Sequence, residues 1–256
     1  MKIFITENDI EKISKICRIS KRNLIMAIKE YNKINDNRII LSYNFNKGDE
    51  ILENFVNQRG IEYIIHFTRI ENLDSILSSG LIPRDELERT GTNSIFNDEH
   101  RYDNCKNALC CSIGHPNYKM FYSLRMNNPG TEWCVIGIKK DVLWNKDCAF
   151  CVENAASNSV TSIPINQRRG LQAFIKLFDE IENKPPRNVL AIPDNCPTNP
   201  QAEILVFDTI EVDNIMGVVF QSQERANEYT KRYNKTNFFH YYKAFFYGRK
   251  DHEHWS

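Results

Sequence analysis

Asn199-Pro200-Gln201-Ala202-Glu203-Ile204-Leu205-Val206-Phe207 joins a turn signal directly to an unbroken apolar run. Asn-Pro marks a turn, and Ile-Leu-Val-Phe suits a mostly buried strand. The chain must therefore build a sheet around this run. Side chains two apart in a strand share a face, so Gln201 and Glu203 are expected to project together at the strand's mouth. A paired amide and carboxylate can hold a ribose hydroxyl and stabilise positive charge beside it. A solvated strand end has the same composition, so the pair gains meaning only from what lies upstream.

A chain of 256 residues is long enough to bury a full core and suits one domain with an appendage. Lys+Arg and Asp+Glu each number 33, so no global field draws the chain to nucleic acid or membrane, and any such site is a local patch. No apolar run reaches the roughly 18 residues of a membrane span, and the N-terminus carries no signal-type apolar segment. The expectation is a cytoplasmic protein whose eight cysteines are reduced thiols. Cys148-Ala149-Phe150-Cys151 has metal-type spacing, with Cys110-Cys111 available nearby. Without a second such pair or a spaced His pair, buried thiols are the expected state and no metal is expected.

Residues 1–58 read as a small, mainly helical extension. Thr6-Glu7-Asn8-Asp9 resembles a helix start, and Ile10, Ile13, Ile16 and Cys17 follow at helical spacing. A break at Arg18-Ile19-Ser20 precedes a second helix through Leu24, Ile25, Ala27 and Ile28. The pair is either a helix-turn-helix or a hairpin packed on the main domain. Ile39-Ile40-Leu41 suggests a short strand, and Asp49 to Gln58 a linking helix ending near Gly60.

The domain expected over 59–256 begins with Ile61-Glu62-Tyr63-Ile64-Ile65-His66-Phe67-Thr68, a buried strand carrying His66 and Thr68 on one face. A helix with Leu73, Ile76 and Leu77 inward and Gly80 at its end comes next. Residues 83–107 are charged and poor in apolar positions, as in a functional loop or lid, and contain His100-Arg101-Tyr102-Asp103. Strand Ala108 to Ile113 leads to His115-Pro116-Asn117-Tyr118-Lys119-Met120-Phe121-Tyr122, where Pro116 suits a helix's first turn and Tyr118 and Tyr122 an aromatic wall. Trp133 to Ile138 is a further strand. Residues 165–182 predict one long amphipathic helix. The C-terminus interleaves Lys and Arg with Phe and Tyr between Arg225 and Lys250, a composition that suits a single nucleic-acid strand, with other rings filling the core.

No P-loop, GxGxxG, HExxH or GxSxG is present. The ordered set that remains is His66-Phe67-Thr68 with Asn72 and Ile76-Leu77-x-x-Gly80-Leu81, then His115 to Phe121, Cys148-x-x-Cys151-x-x-Asn154-Ala155-Ala156, and Asn199 to Glu203. Together these resemble the DarT family of nucleic-acid-modifying ADP-ribosyltransferases, over about residues 61–250. The resemblance implies an α+β fold of two packed β-sheets with flanking helices and a central NAD cleft. It implies transfer of ADP-ribose from NAD to a base of single-stranded DNA, thymidine being the expected base, by a toxin restrained by an antitoxin that removes ADP-ribosyl groups. Glu203 would be catalytic, with Arg101 assisting. His66, Thr68, Asn72, Arg84 and Tyr118 would bind NAD, and Gln201, Tyr241, Lys243 and Arg249 would contact nucleic acid. The same chemistry on RNA, modification of protein, and a nucleotide-sensing DNA-binding protein without catalysis are the alternatives.

Overall fold

The computed structural model describes residues 3–5, 7–19, 24, 27–28, 31–32, 34, 39–41, 45–91, 95 and 105–255. Its centre is a seven-stranded sheet: β3 (Tyr63–Arg69), β4 (Leu109–Ile113), β5 (Trp133–Lys139), β6 (Cys148–Cys151), β7 (Glu203–Val206), β8 (Ile215–Phe220) and β9 (Phe239–Tyr241), in the order β6-β7-β4-β3-β5-β8-β9. Neighbours are antiparallel except β8 and β9, which the helix Gln223–Tyr233 connects as a parallel crossover.

The two expected sheets are the two halves of this one. β3 pairs with β5 along its whole length, Tyr63↔Lys139 through Arg69↔Trp133. It pairs with β4 only at Ile64↔Ile113 and Ile65↔Ser112. Past Ile65 the strands part, and the His66 ring crosses the gap, with Nδ1 2.8 Å from the Cys110 carbonyl oxygen. This split creates the cleft discussed below.

One face of the sheet carries the main core, where Ile64, Ile136, Ile138, Ile204 and Val218 are buried. The helix Phe45–Gln58 packs onto it through Leu52 and Val56, with the Phe55 ring 6.0 Å from Phe174. The stretch expected to link is thus built into the core of the larger unit. The other face buries Ile65, Val135, Phe121 and Phe246. Gly80 (φ +84°) ends the helix Leu73–Ser79, and a Cβ there would lie 2.4 Å from the Ile210 carbonyl oxygen. Only glycine allows the bridge of Leu81 to Ile210 that closes this side of the cleft.

At the N-terminus, β1 (Ile3–Ile5) pairs in parallel with β2 (Ile39–Leu41), and the helix Glu7–Cys17 buries Ile10 beside Ile28. The helix-turn-helix expectation falls largely on residues 20–23 and 25–26, which lie outside the described residues.

Three expectations are corrected. Residues 84–90 form a helix, Arg84–Thr90, where a loop was expected. Its charges sit at helical spacing, Arg84 Nε lying 2.7 Å from Glu88 Oε1, and Gly91 ends it in the left-handed region. The long helix expected over 165–182 is broken. A 3₁₀ turn at Ile165–Arg168 is followed by extended Arg169, which bridges to Ala149, and only Gly170–Ile175 is α-helical. Pro116 precedes the next helix rather than entering it: Asn117 caps Tyr118–Asn127, its Oδ1 accepting from the Met120 N–H at 3.3 Å.

Candidate active site

The split between β3 and β4 opens into a cleft lined by His66, Thr68, Asn72, Arg84, Ser112 and Glu203 among apolar walls that include Ile76 and Leu81. Glu203 stands at the first position of β7, one strand beyond β4, and is 5% exposed. Its Oε1 accepts from Asn117 Nδ2 at 3.1 Å and its Oε2 from the Ala155 N–H at 2.8 Å. Burial of a carboxylate is costly without such donors, and here each oxygen has one. The donors are themselves fixed. Asn117 is fully buried and spends its Oδ1 on the helix cap. Ala155 follows β6, whose Cys151 is the register partner of Glu203. Burial, with a smaller push from the Glu203 carboxylate, raises the Cys111 thiol to about 12.

His66 donates through Nδ1–H to the Cys110 carbonyl, which in a neutral ring makes Nε2 the acceptor. Asn72 joins strand to loop. Its Nδ2 reaches Thr68 Oγ1 at 3.2 Å and the Ile95 carbonyl at 2.9 Å, while its Oδ1 accepts from the Ile95 N–H at 3.0 Å. Asn154 lies on the opposite wall, its Oδ1 accepting from the Ala156 N–H. Polar groups at intervals along an apolar cleft fit a ligand of flat rings joined by sugars and phosphates, as NAD is.

The remaining expected site residues are placed differently. Arg101 lies outside the described residues. Tyr118 does not line the cleft: its ring lies 6.2 Å from that of His115, and Tyr122 is exposed, so no aromatic wall forms. Gln201 lies in the turn before β7, with its N–H held by Asn199 Oδ1, so the strand rule that paired it with Glu203 does not apply. Tyr241 and Lys243 are exposed. Arg249 is buried and bonded to Asp251 and to two carbonyls, so it is a structural residue of the C-terminus rather than a free cation. Cys148 and Cys151 are buried thiols in β6, and no metal-binding group of His, Cys, Asp and Glu gathers among the described residues. Asn117 and the Ala155 N–H were not foreseen as partners of Glu203, although both fall within the sequence motifs quoted above.

The sheet split between β3 and β4, with a buried carboxylate one strand beyond β4, is an ADP-ribosyltransferase fold. The same fold occurs in Thermus sp. 2.9 DarT in complex with NAD+ (15% identity, TM-score 0.50, 73% of this chain and 98% of that one). It occurs again in the same protein in complex with ADP-ribosylated ssDNA (14%, TM-score 0.50, 73% and 97%). Thermosipho africanus DarTG in complex with ADP-ribose also shares it (17%, TM-score 0.51), and this chain spans about half of that protein's length, 51%. No curated protein sequence matches. The family model for "ssDNA thymidine ADP-ribosyltransferase, DarT" matches residues 65–242, and the chain belongs to that family.

Proposed function

We propose that this chain transfers ADP-ribose from NAD to a thymidine base of single-stranded DNA, with Glu203 as the carboxylate at the reacting ribose. The observation that carries the reading is Glu203 itself, buried at the cleft wall with both oxygens held by fixed donors. Family membership supports the choice of donor and acceptor.

NAD supplies an ADP-ribose already joined to a leaving group, nicotinamide. Glu203 stabilises the positive charge that develops on the ribose as that bond weakens, a contribution of a few kcal/mol in such sites, about 3. A ring nitrogen of the base forms the new bond to the ribose carbon, nicotinamide takes the electron pair of the old one, and Glu203 accepts the proton the nitrogen gives up. His66 and Thr68 hold the ribose and nicotinamide end. Asn72 fastens Ile95 at the cleft, and Arg84, which lines the cleft in an ion pair with Glu88, turns its guanidinium to phosphate when NAD binds. Arg101 assists the acceptor base as a cation, since a guanidinium stays charged. A base must leave its stack to reach this cleft, which favours single strands over duplex.

Residues 1–58 form an N-terminal extension and 59–256 the transferase domain, with the helix Phe45–Gln58 of the extension packed into the domain's core. A toxin–antitoxin pairing, with an antitoxin that removes the ADP-ribosyl group, is part of this proposal, and the likeness to a DarTG structure in complex with ADP-ribose is in keeping with it. Among the described residues no helix is long and apolar enough to cross a membrane.

Incubation with labelled NAD and, separately, single-stranded DNA, RNA, duplex DNA and mixed protein tests the reading. Label is expected on thymidine-containing single-stranded DNA. Label on RNA alone or protein alone overturns the choice of acceptor. For Arg101→Ala, transfer is expected to fall about 10²-fold, the lower end for a lost charge-stabilising group, with NAD binding nearly unchanged. A parallel loss of NAD affinity makes Arg101 a donor ligand instead.

A further inference from the structure

A second cavity, of about 940 Å³, lies between β8, β9, the 191–196 segment and the C-terminal residues 240–251. It contains no Glu203, His66 or Thr68, and meets the catalytic cleft only at Ile65, which lines both. Nothing in the reaction just described uses it.

Its floor is bare backbone. Gly137 of β5 and Gly217 of β8 are register partners and both line it. A Cβ on Gly217 would lie 2.8 Å from the Phe238 carbonyl oxygen, so the position is kept flat by close packing of β8 on the chain entering β9. Aromatic rings stand around this flat strip. Tyr63 rises from β3, and Tyr241, Tyr242 and Tyr247 come from the C-terminal segment, the last two 52% and 54% exposed. The single carboxylate in the lining, Asp251, is paired with Arg249 at 2.6 Å, so Lys250 leaves the lining net positive, and exposed Lys243 lies beside it in the chain. A flat floor, several exposed phenol rings and positive charge fit planar bases on an anionic backbone better than they fit a peptide or an apolar partner.

The cavity is also joined to the catalytic carboxylate through the chain. Pro193, Asn195 and Cys196 form part of its wall, and the same segment runs through the Asn199-Pro200 turn into Glu203. A strand lying in the cavity would thus touch the segment that delivers the carboxylate.

We infer that this tyrosine-lined cavity is a second subsite for single-stranded DNA, holding nucleotides that flank the modified base by stacking on Tyr242 and Tyr247 over the Gly137–Gly217 floor. The inference rests on the reading of the chain as a transferase acting on single-stranded DNA, and extends it from the target base to its neighbours.

The test uses the full chain and two variants, Tyr242→Ala/Tyr247→Ala and Lys250→Glu, whose substituted side chains are exposed. Binding of a labelled thymidylate dodecamer without NAD is followed by fluorescence anisotropy, alongside NAD binding and label transfer to a trinucleotide. One stacked base is worth about 1–3 kcal/mol, so the double variant is expected to bind the dodecamer about tenfold or more weakly. NAD binding and trinucleotide transfer should stay at wild-type level. Lys250→Glu should weaken dodecamer binding and lower its salt slope by about one. Wild-type dodecamer affinity in both variants overturns the subsite, as does a wild-type chain that does not bind the dodecamer. An equal loss on the trinucleotide also overturns it, because the rings would then serve the catalytic cleft. Dodecamer binding by a wild-type chain that transfers no label sinks the transferase reading instead, and the variants still decide the cavity.

Discussion

Glu203→Gln is expected to lower ADP-ribose transfer to single-stranded DNA by about 10³-fold or more. Two contributions are lost together: the negative charge beside the ribose and the acceptor for the base's proton. Each is typically worth about 10²-fold or more. Both act chiefly in the transition state, so NAD affinity should change only a few-fold while the rate collapses. Glutamine is not a silent isostere at this site. Asn117 and Ala155 each offer an N–H donor to one of the Glu203 oxygens. A glutamine can accept from one of them, but its NH₂ then faces the other. Rotating the Asn117 amide to compensate would withdraw Oδ1 from the Met120 N–H that it caps. The variant should therefore also lose about 1–3 kcal/mol of stability, the cost of a buried donor left unmet. Transfer assays, NAD titration and thermal melting separate these outcomes. Wild-type transfer by the Gln variant removes Glu203 from the chemistry. A loss of NAD affinity as large as the loss of rate would make the carboxylate a ground-state ligand only.

Local sequence determines structure in some segments of this chain and not in others, for physical reasons. β7 was legible because Asn-Pro and Ile-Leu-Val-Phe leave little choice of local structure, and Glu203 was legible as the carboxylate at its mouth. The partners that hold Glu203 were not, because Asn117 and Ala155 are 86 and 48 residues away and only the fold brings them in. Gln201 was misread because the strand rule was extended one residue too far into the turn. The helix Arg84–Thr90 escaped notice because it buries none of its residues, leaving no apolar stripe to read. In 165–182 the apolar spacing was real, and Phe174, Leu177 and Phe178 are buried as expected. Gly170, at φ +77°, still breaks the stretch into short turns. At the C-terminus, composition alone could not separate Phe245 and Phe246, which fill the core, from Tyr242 and Tyr247, which face outward.

Arg249→Ala is expected to destabilise the chain by about 3–5 kcal/mol, because it strands a buried carboxylate. Arg249 and Asp251 are 7% and 4% exposed and bonded twice, Nε to Oδ1 and Nη2 to Oδ2, each at 2.6 Å. Trp255 Nε1 donates to the same Asp251 oxygen. The guanidinium also donates to the carbonyls of Pro197 and Thr198, at 2.6 and 2.8 Å. From the opposite side, Arg187 donates to Thr198 Oγ1 and to the carbonyls of Pro193 and Cys196. Two arginines thus clamp the segment that leads to Glu203, so the melting temperature should fall by about 10 °C, at roughly 2–4 °C per kcal/mol for a chain of this size. The pH dependence identifies the cause. Burial pushes the Asp251 carboxyl up, but its bonds to Arg249 outweigh that and leave it below the usual carboxylate range. A depressed carboxyl adds stability above its unfolded pKa, near 3.9, and that stability is lost as pH falls through the lower folded value. In Arg249→Ala the burial is opposed only by the Trp255 N–H and a backbone hydrogen bond, so Asp251 protonates at higher pH than in wild type and the penalty shrinks. Calorimetry at pH 7.5 and pH 4 should therefore show the gap between wild type and variant narrowing in acid. A gap that stays constant would assign the loss to packing of the arginine side chain rather than to the charge it neutralises.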